Sequence, residues 1–165
     1  MISGGYIVGP GVGLSSADLS DVDFSGVDLS NAYIYGAYLD RADLSGADLT
    51  GVTSGGITGT PTLPSSYLMV NGYIVGPGVD LSSAGLYDAD LSGVSGAVLS
   101  DASLLFADLR YANFYGTDLT GADLSNALLS NALLFDAILT NAVLSGADLV
   151  GAYLRGDNIV VDDLT

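Results

Sequence analysis

The sequence predicts an all-β solenoid assembled from five-residue units, and three observations predict it. Leu14, Leu19, Phe24, Leu29, Ile34, Leu39, Leu44 and Leu49 fall at intervals of five without a miss; the interval resumes at Leu81, Leu86 and Leu91, and again from Leu99 to Leu164. Of these 25 centres 21 are Leu, two Phe and two Ile, and all 18 alanines of the chain stand two residues before a centre. The residue two after the centre is Gly, Asn or Asp in 18 of the 24 units that contain it. Those types tolerate a positive φ or bond their own backbone, so they mark a tight turn in each unit. A helix repeats at 3.6 and a strand at 2, and neither fits five. A short extended stretch followed by a corner does.

Each slot of the unit then has a physical reason. The centre and the small residue two before it point inward, large beside small, because two large residues per short side would overfill a narrow interior. The slot before the centre is Asp in 12 of 25 units and the slot after it is Ser or Thr in 15 of 25, so both face water. Units such as ADLSG (42–46), ADLTG (47–51) and ADLSN (122–126) resemble the pentapeptide repeat family over about 125 of the 165 residues. The resemblance implies a right-handed quadrilateral β-helix with four units, 20 residues, per coil. Coils stacked ~4.8 Å apart would give about six coils and a rod on the order of 30 Å long.

The organisation follows from where the period lapses. Residues 1–13 read as an N-terminal strand or partial hairpin, 14–52 as coils, 53–80 as an irregular Gly/Pro connector with a β-hairpin near residues 67–76, and 81–165 as coils again, in one continuous solenoid. Pro61 and Pro64 mark the connector. Asn71-Gly72 between Tyr67-Leu-Met-Val and Tyr73-Ile-Val suits a two-residue type I′ turn. A competing reading keeps Leu63, Leu68 and Tyr73 as irregular centres five apart; the turn residues favour the hairpin. Residues 4–26 recur as residues 71–93, displaced by 67. The first copy starts in mid-hairpin, as a fragment of a longer chain would. The eight-residue step from Leu91 to Leu99 around Gly96 predicts a corner bulge. Asp157 and Asp162 fall in the inward small slot. An unpaired buried carboxylate is costly, so the last coil is expected to be frayed or capped with both turned out.

Composition excludes most chemistry. The chain has 19 Asp, three Arg and a net charge of −16, with no Glu, Lys, His, Cys or Trp. Zinc sites of the usual kind, thiol nucleophiles, imidazole bases, P-loops and Schiff bases are excluded by residue type. Ser15, Ser20, Ser25 and Ser30 are corner residues with no His or Lys to activate them. GPGVG (9–13) lacks the Lys and helix of a phosphate loop. Asp23 over Asp43 and Asp28 over Asp48 would repel by only about 1 kcal/mol in water. Calcium asks for six to eight converging oxygens, so a solvated ladder is expected and no metal. The expectation is a non-enzyme without cofactor. Its charge disfavours direct contact with nucleic acid or an anionic membrane. No apolar run approaches the ~18 residues of a membrane span, and MISGGYIVGP carries no leader pattern, which places the expected location in the cytoplasm.

Function is therefore expected on the surface, as a structural or protein-interaction module whose partner is another protein or a second copy. Around one coil the slot that normally holds Asp contains Leu128, Leu133, Ile138 and Val143, with Tyr153 one coil beyond Leu133. Four outward apolar residues encircling a coil mark a contact surface. Tyr115, Phe135 and Arg155 stack as a column, read as an aromatic ladder ending in a cation–π contact. Tyr33, Tyr35 and Tyr38 form a further aromatic cluster, and open coil ends offer backbone groups for end-to-end stacking. The alternative is DNA mimicry. Sixteen net charges over roughly 30 Å approach the charge density of duplex DNA. The resemblance includes a quinolone-resistance group that protects DNA gyrase in this way. This chain departs from that group in its Leu centres and in lacking a recognisable C-terminal dimer helix.

Overall fold

The computed structural model describes residues 2–3, 5–92 and 99–155. Within them the five-residue unit is a side and a corner of a tube. The residue before the centre pairs in parallel with its counterpart one coil on, as in Gly13 with Tyr33, Asp18 with Tyr38, Asp23 with Asp43 and Asp28 with Asp48. Four such pairs per coil define four faces, here numbered 1 to 4 in that order.

The unit Ala122–Asn126 shows why the fold takes this residue pattern. Asp123 N–H donates to the Ala102 carbonyl of the preceding coil (3.0 Å), and Leu124 and Asn126 N–H donate to Val143 and Ser145 carbonyls of the next (2.8 and 2.9 Å). Ala122 N–H closes the corner onto Leu119 (3.0 Å). That leaves the N–H of Ser125, which donates to Oδ1 of Asp123 at 2.9 Å. All five backbone donors are thus engaged. The same carboxylate bond recurs at Asp18, Asp23, Asp28, Asp43, Asp48, Asp80, Asp90, Asp118 and Asp148. Aspartate before the centre is therefore a backbone cap before it is a surface charge.

The corner residue two after the centre has positive φ throughout, from Ser16 (58°) to Gly151 (71°), the mark of a type II turn. Gly, Asn and Asp take that conformation readily; Phe106 (59°) and Tyr111 (63°) do not. Left-handed backbone costs a residue with Cβ about 1–2 kcal/mol. Because Phe106 is exposed, Phe106→Gly is expected to stabilise the chain by about 1 kcal/mol, read by denaturant unfolding.

Leu and Ala of successive coils fill the interior as two clusters, one of residues 8–57 with Ile74, the other of residues 75–144. Thr117, the lone threonine in an inward small slot, is fully buried, and its hydroxyl donates to the Leu91 carbonyl at 2.8 Å.

Two hairpins interrupt the coils: β1 (Ile2–Ser3) with β2 (Tyr6–Ile7), and β3 (Leu68–Val70) with β4 (Tyr73–Val75), both antiparallel. Asn71 (φ 50°) and Gly72 (φ 79°) make the second turn, both left-handed as type I′ requires. Alternate residues of β3 and β4 point to opposite sides. Leu68, Val70, Tyr73 and Val75 pack on the C-terminal core, while Met69 and Ile74 pack on the N-terminal one. The hairpin is a partition across the tube. Face 1 runs past it unbroken from Gly13 through Thr53 and Asp80 to Val143. Among the described residues, faces 2 and 3 stop at Thr58 and Thr62 and resume at Gly85 and Asp90. At the gap Ile57 N–H donates to the Gly72 carbonyl, Ile74 N–H to Ser54 Oγ and Gly85 N–H to the Tyr73 hydroxyl, all at 2.9–3.0 Å.

The stretch 53–80 is thus less irregular than its glycines and prolines imply. Thr53, Thr58 and Thr62 keep the ladder, with Ser54 and Gly59 standing where Leu centres would stand. Ser54 stands against Ile74, which is buried with Val52 and Ile57, whereas Gly59 lies against the backbone one coil back, where a Cβ would collide with the Asp40 nitrogen. The slip at Gly96 and the two inward aspartates at 157 and 162 lie outside the described residues.

Candidate interaction surface

Leu128, Leu133, Ile138 and Val143 stand one on each face of a single coil, on faces 2, 3, 4 and 1, stacked over Asp108, Asn113, Asp118 and Asp123. All four side chains reach the surface: Leu128 is 39% and Val143 44% exposed, and Leu133 and Ile138 are half-buried. A hydrocarbon cannot accept the N–H that Asp accepts in this slot. The coil therefore gives up the fold's own cap four times in succession.

On face 3 the girdle adjoins an aromatic pair. Tyr153 stacks over Leu133 in the ladder, and the Phe135 ring lies on Tyr153, centroids 6.1 Å apart with planes at 27°. This revises the expected column. Tyr115, Phe135 and Arg155 do follow one another coil by coil, since Gly116 N–H donates to the Phe135 carbonyl and Asp136 N–H to that of Arg155. The ring contact of Phe135, however, runs diagonally across the flat face to Tyr153. A side chain just after the centre sits beside the corner and leans along the face.

The cation–π contact lies elsewhere as well. Arg110 stands over the Tyr87 ring, 5.4 Å from its centroid, and Tyr87 meets Tyr111 at 5.4 Å and 58°. Arg110 is also held in a fork by Asp108, Nε and Nη2 at 2.8 and 2.7 Å, which lowers the Asp108 pKa. The sequence hid this cluster because residues on either side of the Leu91–Leu99 break lie 23 apart in the ladder, as Gly85 with Asp108, against 20 in the regular coils. Arg41 makes a similar fork to Asp21 across one coil (2.6 and 2.7 Å) and also bonds Asp40. Tyr33, Tyr35 and Tyr38 are exposed; Tyr33 and Tyr38 lie on adjacent faces, 1 and 2, around a corner from each other.

The acidic faces carry charges already engaged by the fold. Hydrogen bonds from the hydroxyl and then the N–H of the serine two residues on hold Asp18, Asp23, Asp28 and Asp90 below the ordinary carboxylate range, and the Ser130 hydroxyl does the same for Asp148. A carboxylate whose pKa is lower folded than unfolded stabilises the fold at pH above its unfolded value of about 3.9. That contribution disappears as pH falls through the lowered folded values. The melting temperature is therefore expected to hold from neutral pH to about 5 and to fall below about 4, as circular dichroism would record.

Comparison with known proteins agrees with this architecture. The family model described as "Pentapeptide repeats" matches in 8 copies, over residues 14–53, 94–126 and 118–156. The chain belongs to the pentapeptide repeat family. Its coils are similar to those of HetL, a pentapeptide repeat protein involved in heterocyst differentiation regulation from Nostoc sp. strain PCC 7120 (23% identity, 92% of each chain covered, TM-score 0.40). They are also similar to those of the pentapeptide repeat protein Rfr23 from Cyanothece 51142 (22%, 87% of this chain and 84% of that one, 0.35). A third likeness is to QnrB1, a plasmid-mediated fluoroquinolone resistance protein (21%, 90% and 91%, 0.34). No curated protein matches the sequence.

Proposed function

We propose that this pentapeptide repeat protein is a non-catalytic interaction module that binds a protein partner through the apolar girdle, chiefly on face 3. The observation that carries the reading is the run Leu128, Leu133, Ile138 and Val143 in the slot where aspartate would cap the backbone. An apolar ring in that slot forms a dehydrated centre for an interface, with Phe135 and Tyr153 around it. A photo-crosslinking residue at position 133, used in native lysate, should give a discrete adduct that Leu128→Asn abolishes. No adduct above that of the same probe at Ser20, on the acidic part of face 2, would dismiss the reading.

The second reading is an acidic rod occupying the DNA-binding surface of a topoisomerase, favoured by the columns Asp23–Asp43 and Asp28–Asp48 and the net charge of −16. It ranks second because those carboxylates already cap backbone N–H groups. It calls for inhibition or protection of gyrase supercoiling that weakens with salt; a null effect at micromolar protein would remove it.

A further inference from the structure

The β3–β4 hairpin leaves one strand edge unpaired, and that edge faces an opening in the wall of the tube. Its two-residue turn makes Val70–Tyr73 a hydrogen-bonded pair, so Met69–Ile74 is a non-hydrogen-bonded pair whose backbone groups point outward on both strands. Ile74 fixes the phase, since its N–H leaves the hairpin and donates to Ser54 Oγ at 2.9 Å. Met69 N–H and C=O therefore point out of the other edge, and among the described residues neither has a partner.

The direction of that edge follows from the packing. Met69 and Ile74 lie on the N-terminal core and Leu68 and Val75 on the C-terminal one, so the hairpin lies across the tube with its edges pointing sideways. Ser54 follows Thr53 on face 1, which places the β4 edge at face 1 and turns the β3 edge toward the opposite face 3. There the ladder stops at Thr62 and resumes at Asp90. A donor at the lip of this gap is unused as well. Leu44 N–H donates to the Thr62 carbonyl one coil on (2.8 Å), but Leu63 N–H, in the same slot, meets no carbonyl among the described residues.

A groove of about 410 Å³ opens at this place, lined by residues 59–61 and 63–65 of the connector and 67–69 of the hairpin. Leu63, Pro64, Tyr67, Leu68 and Met69 make it apolar, and no lining residue is charged, in a chain that carries 19 Asp.

We infer that this edge takes an extended segment of a partner protein as a third strand, adding the rung that face 3 lacks between Thr62 and Asp90. Main-chain bonds to Met69 hold the segment, and the apolar walls select uncharged side chains at its centre. The net charge of −16 favours basic residues on its flanks. The contact goes beyond the girdle reading and uses none of the girdle's residues.

The probe is the peptide Lys-Lys-Val-Ile-Val-Lys-Lys, acetylated and amidated at its ends and added to the whole chain. Methionine occurs only at positions 1 and 69, so isotope-labelled methionine makes the Met69 amide directly visible by NMR. In the free chain that amide should exchange rapidly with solvent deuterium. Saturating peptide should shift its signal and slow its exchange by at least about tenfold, and Leu133→Asn should leave both effects unchanged. The same peptide N-methylated at its three apolar residues keeps the charge but loses the N–H donors, and should produce neither effect. Equal binding of the two peptides would reduce the contact to charge and overturn the inference. So would an unmoved Met69 signal at millimolar peptide. A Met69 amide already protected in the free chain would also overturn it, because the edge would then be paired within the chain or with a second copy.

Discussion

Ile74→Ala is expected to cost about 2–5 kcal/mol, while Ile7→Ala costs less than about 0.5 kcal/mol. The two isoleucines share the sequence Gly-Tyr-Ile-Val-Gly-Pro-Gly-Val and an antiparallel register. Local propensity therefore cannot separate them, and only burial does. Ile74 is also the side chain that places the hairpin in the N-terminal core, while its neighbours Tyr73 and Val75 belong to the C-terminal one. In a repeat array, stability is a sum of units and nearest-neighbour interfaces. Weakening the partition should therefore uncouple the halves as well as destabilise them. Chemical unfolding of Ile74→Ala should broaden or split into two transitions, with Ile7→Ala retaining the parent curve.

Phe114→Ala is the second large effect, a loss of about 3–5 kcal/mol. Phe114 is fully buried in a cluster otherwise made mostly of Leu and Ala. Its neighbours above and below are tied by ladder bonds, Leu91 N–H to the Asn113 carbonyl and Phe114 N–H to that of Leu133, each 2.8 Å. The rungs cannot close over the vacated volume without breaking those bonds, so little relaxation offsets the cavity. Phe114→Leu restores the residue found at most centres and should recover most of the loss. A thermal melt of the three proteins orders them parent, Leu, Ala.

The coils were readable from sequence because every slot answers to a separate constraint. Leu fills, Ala avoids overfilling, Asp takes the one backbone N–H that the ladder leaves, and Gly or Asn turns the corner. The hairpin turn was readable because Asn71-Gly72 is itself a local signal. What escaped was set by contacts distant in the chain. Ser54 and Gly59 lack the size of a centre, and distant contacts go with each: Ile74 N–H donates to Ser54, and the Asp40 backbone lies against Gly59. The Tyr87–Arg110–Tyr111 cluster depends on a ladder offset of 23 across the Leu91–Leu99 step, which the period of five does not reveal. The four girdle residues were visible by inspection, because an apolar residue in the Asp slot breaks the pattern. Which ring each aromatic neighbour would meet was not, because that depends on how side chains lean along a face.

The division of the outward slot between capping and binding is tested most directly by thermal unfolding of Leu128→Asn/Leu133→Asn. Asparagine can accept the same N–H, and a net hydrogen bond contributes about 0.5–1.5 kcal/mol. The account predicts an unfolding temperature equal to or above that of the parent. A drop corresponding to more than about 1 kcal/mol would show that the girdle holds the tube together, and would contradict its assignment to a partner.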